Sequence, residues 1–185
     1  MKINYKKSLK FVTLLVTSLL IASASATYYY SLNISGTLTT VVTVIFDQGS
    51  DWPLGSTMGA GNTSVTLALK AYPNTTLTYA QALKVKNTGS GTPSIRLRQV
   101  NIENGTSDVA NFTLLNIVLL DDLNVIKGYL NYTVSGNYFL LTSSTSYQQM
   151  GEGDTWSIRI ETKAAANAGT DISVTLQIAV DVQES

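Results

Sequence analysis

Few side chains in this sequence are equipped for chemistry. Histidine and cysteine are both absent from its 185 residues. That removes Ser-His-Asp triads, Cys-His dyads, thiolate and imidazole metal sites and disulfides together. Carboxylates remain. Asp121 and Asp122 are adjacent, and Glu152, Gly153 and Asp154 form a second acidic cluster. Both read first as solvated turns. The second could lend oxygen ligands to a surface Ca²⁺ site, but one turn supplies too few. Two separated carboxylates cleave a glycoside only at a set spacing, and no motif here sets one. The chain therefore reads as a non-enzyme with no catalytic residue, no metal and no cofactor. Trp52 and Trp156 are candidates for a carbohydrate platform. Trp52 is the better of the two, because Trp156 alternates with core-type residues.

The second chemical feature is a set of N-x-S/T sequons, beginning at Asn33, Asn62, Asn74, Asn104, Asn111 and Asn131. From residue 27 onward the composition predicts about three by chance, so six is an excess of roughly twofold. The bland reading is a Thr-rich composition, with 24 Thr and 19 Ser in the chain. The functional reading is a glycan-coated extracellular surface. For Asn111 and Asn131, which fall in strand-like stretches, that requires side chains facing solvent.

The elements that must position these groups begin after an address. Lys2, Lys6, Lys7 and Lys10 precede an apolar run over residues 11–22, followed by Ala22-Ser23-Ala24-Ser25-Ala26. This is the layout of a secretory signal peptide, with cleavage after Ala24 or Ala26. Twelve apolar residues are short for a membrane span, which needs about 20, so contact with the membrane is expected only in transit. The alternatives are a retained anchor and a type IV prepilin leader; the latter is cut before its apolar stretch and lacks a small residue here. The four lysines belong to the leader. Residues 27–185 thus carry eight cations against twelve carboxylates, a net charge of −4. Nucleic-acid binding needs a basic face and is not expected.

Beyond the leader the periodicity is two. Residues 39–46 form a dense apolar strand, and residues 47–62 read as a long loop. Val65, Leu67 and Leu69 alternate with polar residues, as do Leu83 with Val85, and Ile95 with Leu97. The apolar phase then shifts to Val100 and Ile102, which a bulge near Gln99 would explain. Residues 112–120 could be a core strand or a short helix; their β-branched neighbours favour a strand. Residues 129–134 and 138–142 flank Ser135-Gly136-Asn137 as a hairpin. Trp156, Ile158, Ile160 and Thr162 form another inward row, and Ile172, Val174, Leu176, Ile178, Val180 and Val182 the last. Nine or ten strands and no amphipathic helix predict an all-β fold: an antiparallel two-sheet sandwich of jelly-roll or Greek-key type, with an N-terminal strand-forming tail. The expected organisation is a signal peptide over 1–26, a tail over 27–38 and a sandwich over 39–185.

The tail is unusual. Termini are normally polar and frayed, yet Tyr28, Tyr30, Leu32, Ile34 and Leu38 line one face of this one, interrupted by Gly36. Each such side chain gains ~1.5–3 kcal/mol on burial, set against ~1–2 kcal/mol per ordered backbone residue. The strand is expected to pair either within its own sandwich or as an added strand in the next copy. The second arrangement is head-to-tail and non-closing, and builds filaments.

The whole pattern comprises a cleaved leader, the tail (ATYYYSLNISGTL), residues 83–89 (LKVKNTG) before a strand, and residues 153–162 (GDTWSIRIET) before the closing strand. It resembles archaeal secreted filament subunits of the donor-strand type, the thread and bundling-pilin group, which are similar to the bacterial biofilm fibre protein TasA. The resemblance implies a jelly-roll sandwich one strand short, completed by a neighbour's N-terminal strand and glycosylated on its surface. Tyr28, Tyr30, Leu32 and Ile34 would fill the acceptor groove, with Asn33 pointing outward.

The expected function is therefore a secreted structural subunit of an extracellular, pilus-like filament on the cell surface. It would be a homopolymer assembled by donor-strand complementation, serving adhesion or biofilm. The alternatives are a monomeric secreted or surface-layer β-sandwich that binds carbohydrate, and a membrane-anchored lectin or hydrolase. Changing Leu32 or Ile34 to Asp is expected to block assembly without stopping secretion, which electron microscopy and blotting of the medium will read.

Overall fold

The computed structural model describes residues 43–170 and 172–183, within the compact unit Val41–Ser185. The leader and the tail positions Tyr28, Tyr30, Leu32, Asn33, Ile34 and Leu38 lie outside the described residues. So do the first four residues of the strand expected over 39–46.

Two antiparallel sheets enclose one core. The strands are β1 (Val44–Gln48), β2 (Thr57–Met58), β3 (Ser64–Ala71), β4 (Leu77–Asn87), β5 (Ser94–Ile102), β6 (Phe112–Leu120), β7 (Ile126–Ser135), β8 (Tyr138–Ser144), β9 (Gln148–Gln149), β10 (Thr155–Ala164) and β11 (Ile172–Gln183). One sheet runs β1-β4-β10-β6-β7-β8 and the other β2-β3-β11-β5-β9. Among the described residues the helical elements are short: a 3₁₀ turn at Ala60–Asn62 and a four-residue helix α1 (Ser107–Ala110). No helix among them is long and apolar enough to cross a membrane.

Period-two alternation produces this arrangement, because successive side chains of a strand face opposite sides of the sheet. Val65, Leu67 and Leu69 from β3, Ile158 and Ile160 from β10, and Leu176 and Ile178 from β11 meet in the core, fully buried. Residues 112–120 are a strand, paired on both sides by β10 and β7. The bulge lies where the phase shift placed it, since the register with β11 slips between Gln99 and Asn101. Ile102 is buried, but Val100 is the extra residue and is exposed. The stretch 47–62 is not the continuous loop its composition suggests. Its start continues β1 to Gln48, because Asp47 and Gln48 lie opposite Lys84 and Leu83 on β4, and the Asp47 carboxylate also pairs with Lys86 Nζ (2.5 Å). Its far part supplies β2, which lies along β3.

Buried polar side chains in the described region tie elements together. Asn87 donates to the Gly91 and Gly151 carbonyls (2.8 Å each) and accepts from Gly89 N–H (3.1 Å), fastening two loops to the end of β4. Thr162 Oγ1 donates to Lys70 O (2.6 Å), joining the two sheets.

Asp121 does the same for the β6–β7 connection. Its carboxylate accepts from Leu123 N–H (2.9 Å) and Val125 N–H (2.8 Å) and pairs with Lys127 Nζ (3.1 Å). The hydrogen bond from Val125, with those from Lys127 and Leu123 adding to it, holds the carboxyl below its ordinary range against the opposing effect of burial. A depressed carboxyl stabilises the fold above the unfolded value near 4, and the contribution fades as pH falls through the folded value. Asp121→Asn is accordingly expected to be less stable than the parent at neutral pH. The difference should close on acidification below about pH 4, as denaturant midpoints across pH will read.

Candidate functional site: an open sheet edge

A sandwich has edges, and an edge strand presents a row of backbone N–H and C=O groups that need partners. Most of these edges are covered. On β3 the outward groups belong to Ser64, Thr66, Ala68 and Lys70. Ser64 O accepts from Gly59 N–H (2.9 Å), Thr66 pairs with β2, Ala68 N–H donates to Ser56 Oγ (2.9 Å) and Lys70 N–H to the Tyr79 hydroxyl (3.3 Å). On β4, beyond the reach of β1, Asp51 acts as a substitute strand. Its carboxylate accepts from Ala80 N–H (2.8 Å) and Gln81 N–H (3.3 Å), while its own N–H donates to Gln81 O (3.1 Å). The β1 edge is five residues long and carries the charged Asp47, a common form of edge protection.

The β5–β8 side differs. Strand β9 pairs with β5 at Ser94 and Ile95 alone. The hydrogen bonds from Glu103 N–H to Thr175 O (2.8 Å) and Val180 N–H to Thr63 O (3.4 Å) fix which β11 residues face β5. Those residues lie opposite Arg96, Arg98 and Asn101. By alternation, the backbone of Leu97 and Gln99 turns away from β11, and no strand pairs there among the described residues. On β8, Phe139 N–H points outward and is capped by Asn104 Oδ1 (2.8 Å). Alternation turns the backbone of Leu141 outward as well.

Between these two edges lies a groove of about 410 Å³ lined by Arg96, Leu97, Arg98, Gln99, Leu130, Leu141 and Ser144. Its apolar part is three leucines. Arg96 and Arg98 are both held by Asp181 (3.0 and 2.7 Å), and Arg96 lies over the Tyr147 ring at 4.7 Å. Burial pushes the Asp181 carboxyl up, but the two guanidinium hydrogen bonds outweigh it and hold the group charged. The two arginines thus share one carboxylate, which fixes their position and leaves a single net positive charge at the rim. Two chain crossings bound the groove: Thr145 to Tyr147 leads from β8 to β9 at one end, and the Asn104–Gly105 turn bonds to β8 at the other. The free stretch of β5 runs from Arg96 to the bulge at Val100, room for about five residues of added strand, or ~17 Å.

The Tyr132 hydroxyl lies in the core near this groove, on β7 opposite Leu141. It is buried and has no hydrogen-bond partner among the described residues. Burial raises its pKa far above the ordinary phenol value. Its ring packs edge-on against Phe139 at 6.1 Å.

The other sequence candidates scatter. Asn62 and Asn74 are exposed at turns with φ of 56° and 57°, and their side chains point to solvent without a partner among the described residues. The remaining three sequon side chains within the described region are engaged. Asn104 caps Phe139, Asn111 Nδ2 donates to Ser107 O (2.9 Å), and Asn131 Nδ2 donates to Ser143 Oγ (3.2 Å). Asn111 is not in a strand; it closes the C-terminus of α1.

Asp122 is exposed, as a solvated turn requires, but Asp121 is buried and structural. Asp154 Oδ2 accepts from Gly151 N–H (2.8 Å) within its own turn. No group of three or more His, Cys, Asp or Glu among the described residues is placed to hold a metal ion. Trp156 is buried, and Trp52 packs partly buried against the core. A shallow depression of about 390 Å³ on the outer face of the second sheet is lined by Thr66, Asn101, Glu103, Thr175 and Gln177. It holds no aromatic side chain on which a sugar could stack.

Sequence reasoning missed the groove. The available signal was Tyr138-Phe139-Leu140-Leu141, where consecutive apolar residues break the alternation in a strand that the structure places at an edge. No protein-family model matches the chain, and no curated protein matches it significantly.

An orphaned phenol costs ~1–3 kcal/mol of desolvation. Tyr132→Phe is therefore expected to leave the fold unchanged and raise stability by up to ~1 kcal/mol, read by chemical denaturation.

Proposed function

We propose that this chain is a secreted structural subunit of an extracellular filament, in which the N-terminal strand of one copy enters the β5–β8 groove of the next. The observation that carries the reading is the contrast between edges. On the β3 and β4 edges the outward N–H groups of Ala68, Lys70, Ala80 and Gln81 all have side-chain acceptors, whereas Leu97, Gln99 and Leu141 on the β5–β8 side meet no partner among the described residues. An incoming strand would satisfy those backbone groups and lay alternate side chains against Leu141, over a floor to which the buried Leu97 and Leu130 contribute. The tail supplies that pattern in Tyr28, Tyr30, Leu32 and Ile34, and residues 27–38 carry no charged side chain that would be desolvated. The groove admits about five residues, so two or three of these side chains are seated at once; the tail is longer than its seat. A one-residue slip would turn the apolar row outward, which fixes the parity of the register. The resemblance to donor-strand filament subunits points the same way, as does the lack of histidine and cysteine for catalysis.

Two complementary variants test the reading. Ile34→Asp spoils the donor and keeps the groove. Leu141→Lys spoils the groove, at a half-exposed position, and keeps the donor. Neither is expected to polymerise alone. Mixed, they should form a 1:1 heterodimer and stop there, as size-exclusion chromatography with mass spectrometry will read. A parent chain that stays monomeric, or a mixture that gives no dimer, overturns the proposal in favour of a monomeric binding module.

A further inference from the structure

The β6–β7 connection and the first residue of β7 hold three aliphatic side chains in water. Leu123, Val125 and Ile126 are 77%, 52% and 57% exposed. The connection is nonetheless pinned, since Asp121 accepts from two of its N–H groups and Asp121 N–H donates to Val125 O (3.0 Å). Three exposed aliphatic side chains within four residues of a pinned turn are a candidate interaction surface.

Strand registers give its place. Leu120 lies opposite Ser157, Ser157 opposite Lys84, and Lys84 opposite Asp47. The connection beyond Leu120 therefore projects from the end of the sandwich where β1 begins. It stands three strands from β1, or ~14 Å at a strand spacing of ~4.8 Å. This is also where the preceding chain, with its tail, joins the described unit at Thr43.

We infer that the apolar tip packs on the neighbouring copy of this chain that captures the tail. The inference rests on the donor-strand reading. Val44 lies ten residue steps beyond Ile34, and a fully extended chain spans at most ~3.3–3.6 Å per step. The accepting copy must therefore hold the tail within ~35 Å of Val44, and the tip stands well inside that reach, at the same end. The seated strand alone, pivoting on a linker, would leave the joint between copies free to swing. Contact through Leu123, Val125 and Ile126 gives it a second point of attachment and a fixed angle.

The chain has no cysteine, so Leu123→Cys introduces a unique thiol. In filaments its reaction with a maleimide is expected to be about tenfold or more slower than in the same variant kept unassembled by Ile34→Asp. Leu54→Cys, on the β1–β2 loop, keeps its rate and reports general access of the reagent. Independently, Leu123→Asp with Val125→Asp in the full chain should raise the concentration needed to sustain filaments by about tenfold or more, ~1.4 kcal/mol for each factor of ten. Leu123→Met, which stays apolar, should assemble as the parent does. Filaments with an equally reactive thiol at position 123 and an unchanged critical concentration overturn the tip contact while leaving the donor-strand reading standing. A parent chain that forms no intermolecular species removes both.

Discussion

Backbone amides and carbonyls at a sheet edge must find partners, and this sandwich meets that demand unevenly. On one side, side chains supply them: Ser56, Asp51 and Tyr79 each take an outward N–H that no strand reaches. On the β5–β8 side Asn104 does so at the far end. The stretch from Arg96 to the bulge at Val100 is left open above leucines. An open edge is an aggregation hazard in a protein meant to stay alone, and here the open stretch is short and bordered by Arg96 and Arg98. In a protein meant to join its own kind, the same geometry is a docking seat.

With no disulfide available, the fold is held by burial and by local knots of hydrogen bonds. The core is continuous across both sheets, and Thr162 crosses between them to Lys70. At the end where β1 begins, Asn87 gathers two loops and Asp121 a third. That end is therefore stiff although it is made of loops. The asymmetry matters for any head-to-tail assembly, because a joint can hold an angle only if both of its faces are rigid.

Charge is arranged to stay out of the way. Arg96 and Arg98 border the groove, yet Asp181 binds both, and Arg96 also lies on Tyr147. A strand approaching the β5 edge meets guanidinium groups that are held in place but stay partly exposed, so their solvent-facing sides can remain hydrated.

The class of the fold, most of the inward rows and the bulge in β5 were all legible in the order of the residues. They follow from the two-residue repeat of a strand, which is written locally and survives without knowledge of neighbours. The apolar alternation of residues 28–38 is written in the sequence as well, and those residues lie outside the described region. Which strands are edges became visible only in the folded sheets, since edge status depends on what lies beside a strand and not on its residues. Strand β8 shows the difference. Leu140 and Leu141 look like core residues in sequence, and pairing with β7 on one side alone leaves both partly in water. Asp121 shows it in reverse: one of two adjacent carboxylates in a turn, it is drawn inward because the backbone of its own loop needs an acceptor. Alternation is a property of the chain; a vacancy beside a strand is a property of the assembled sheet.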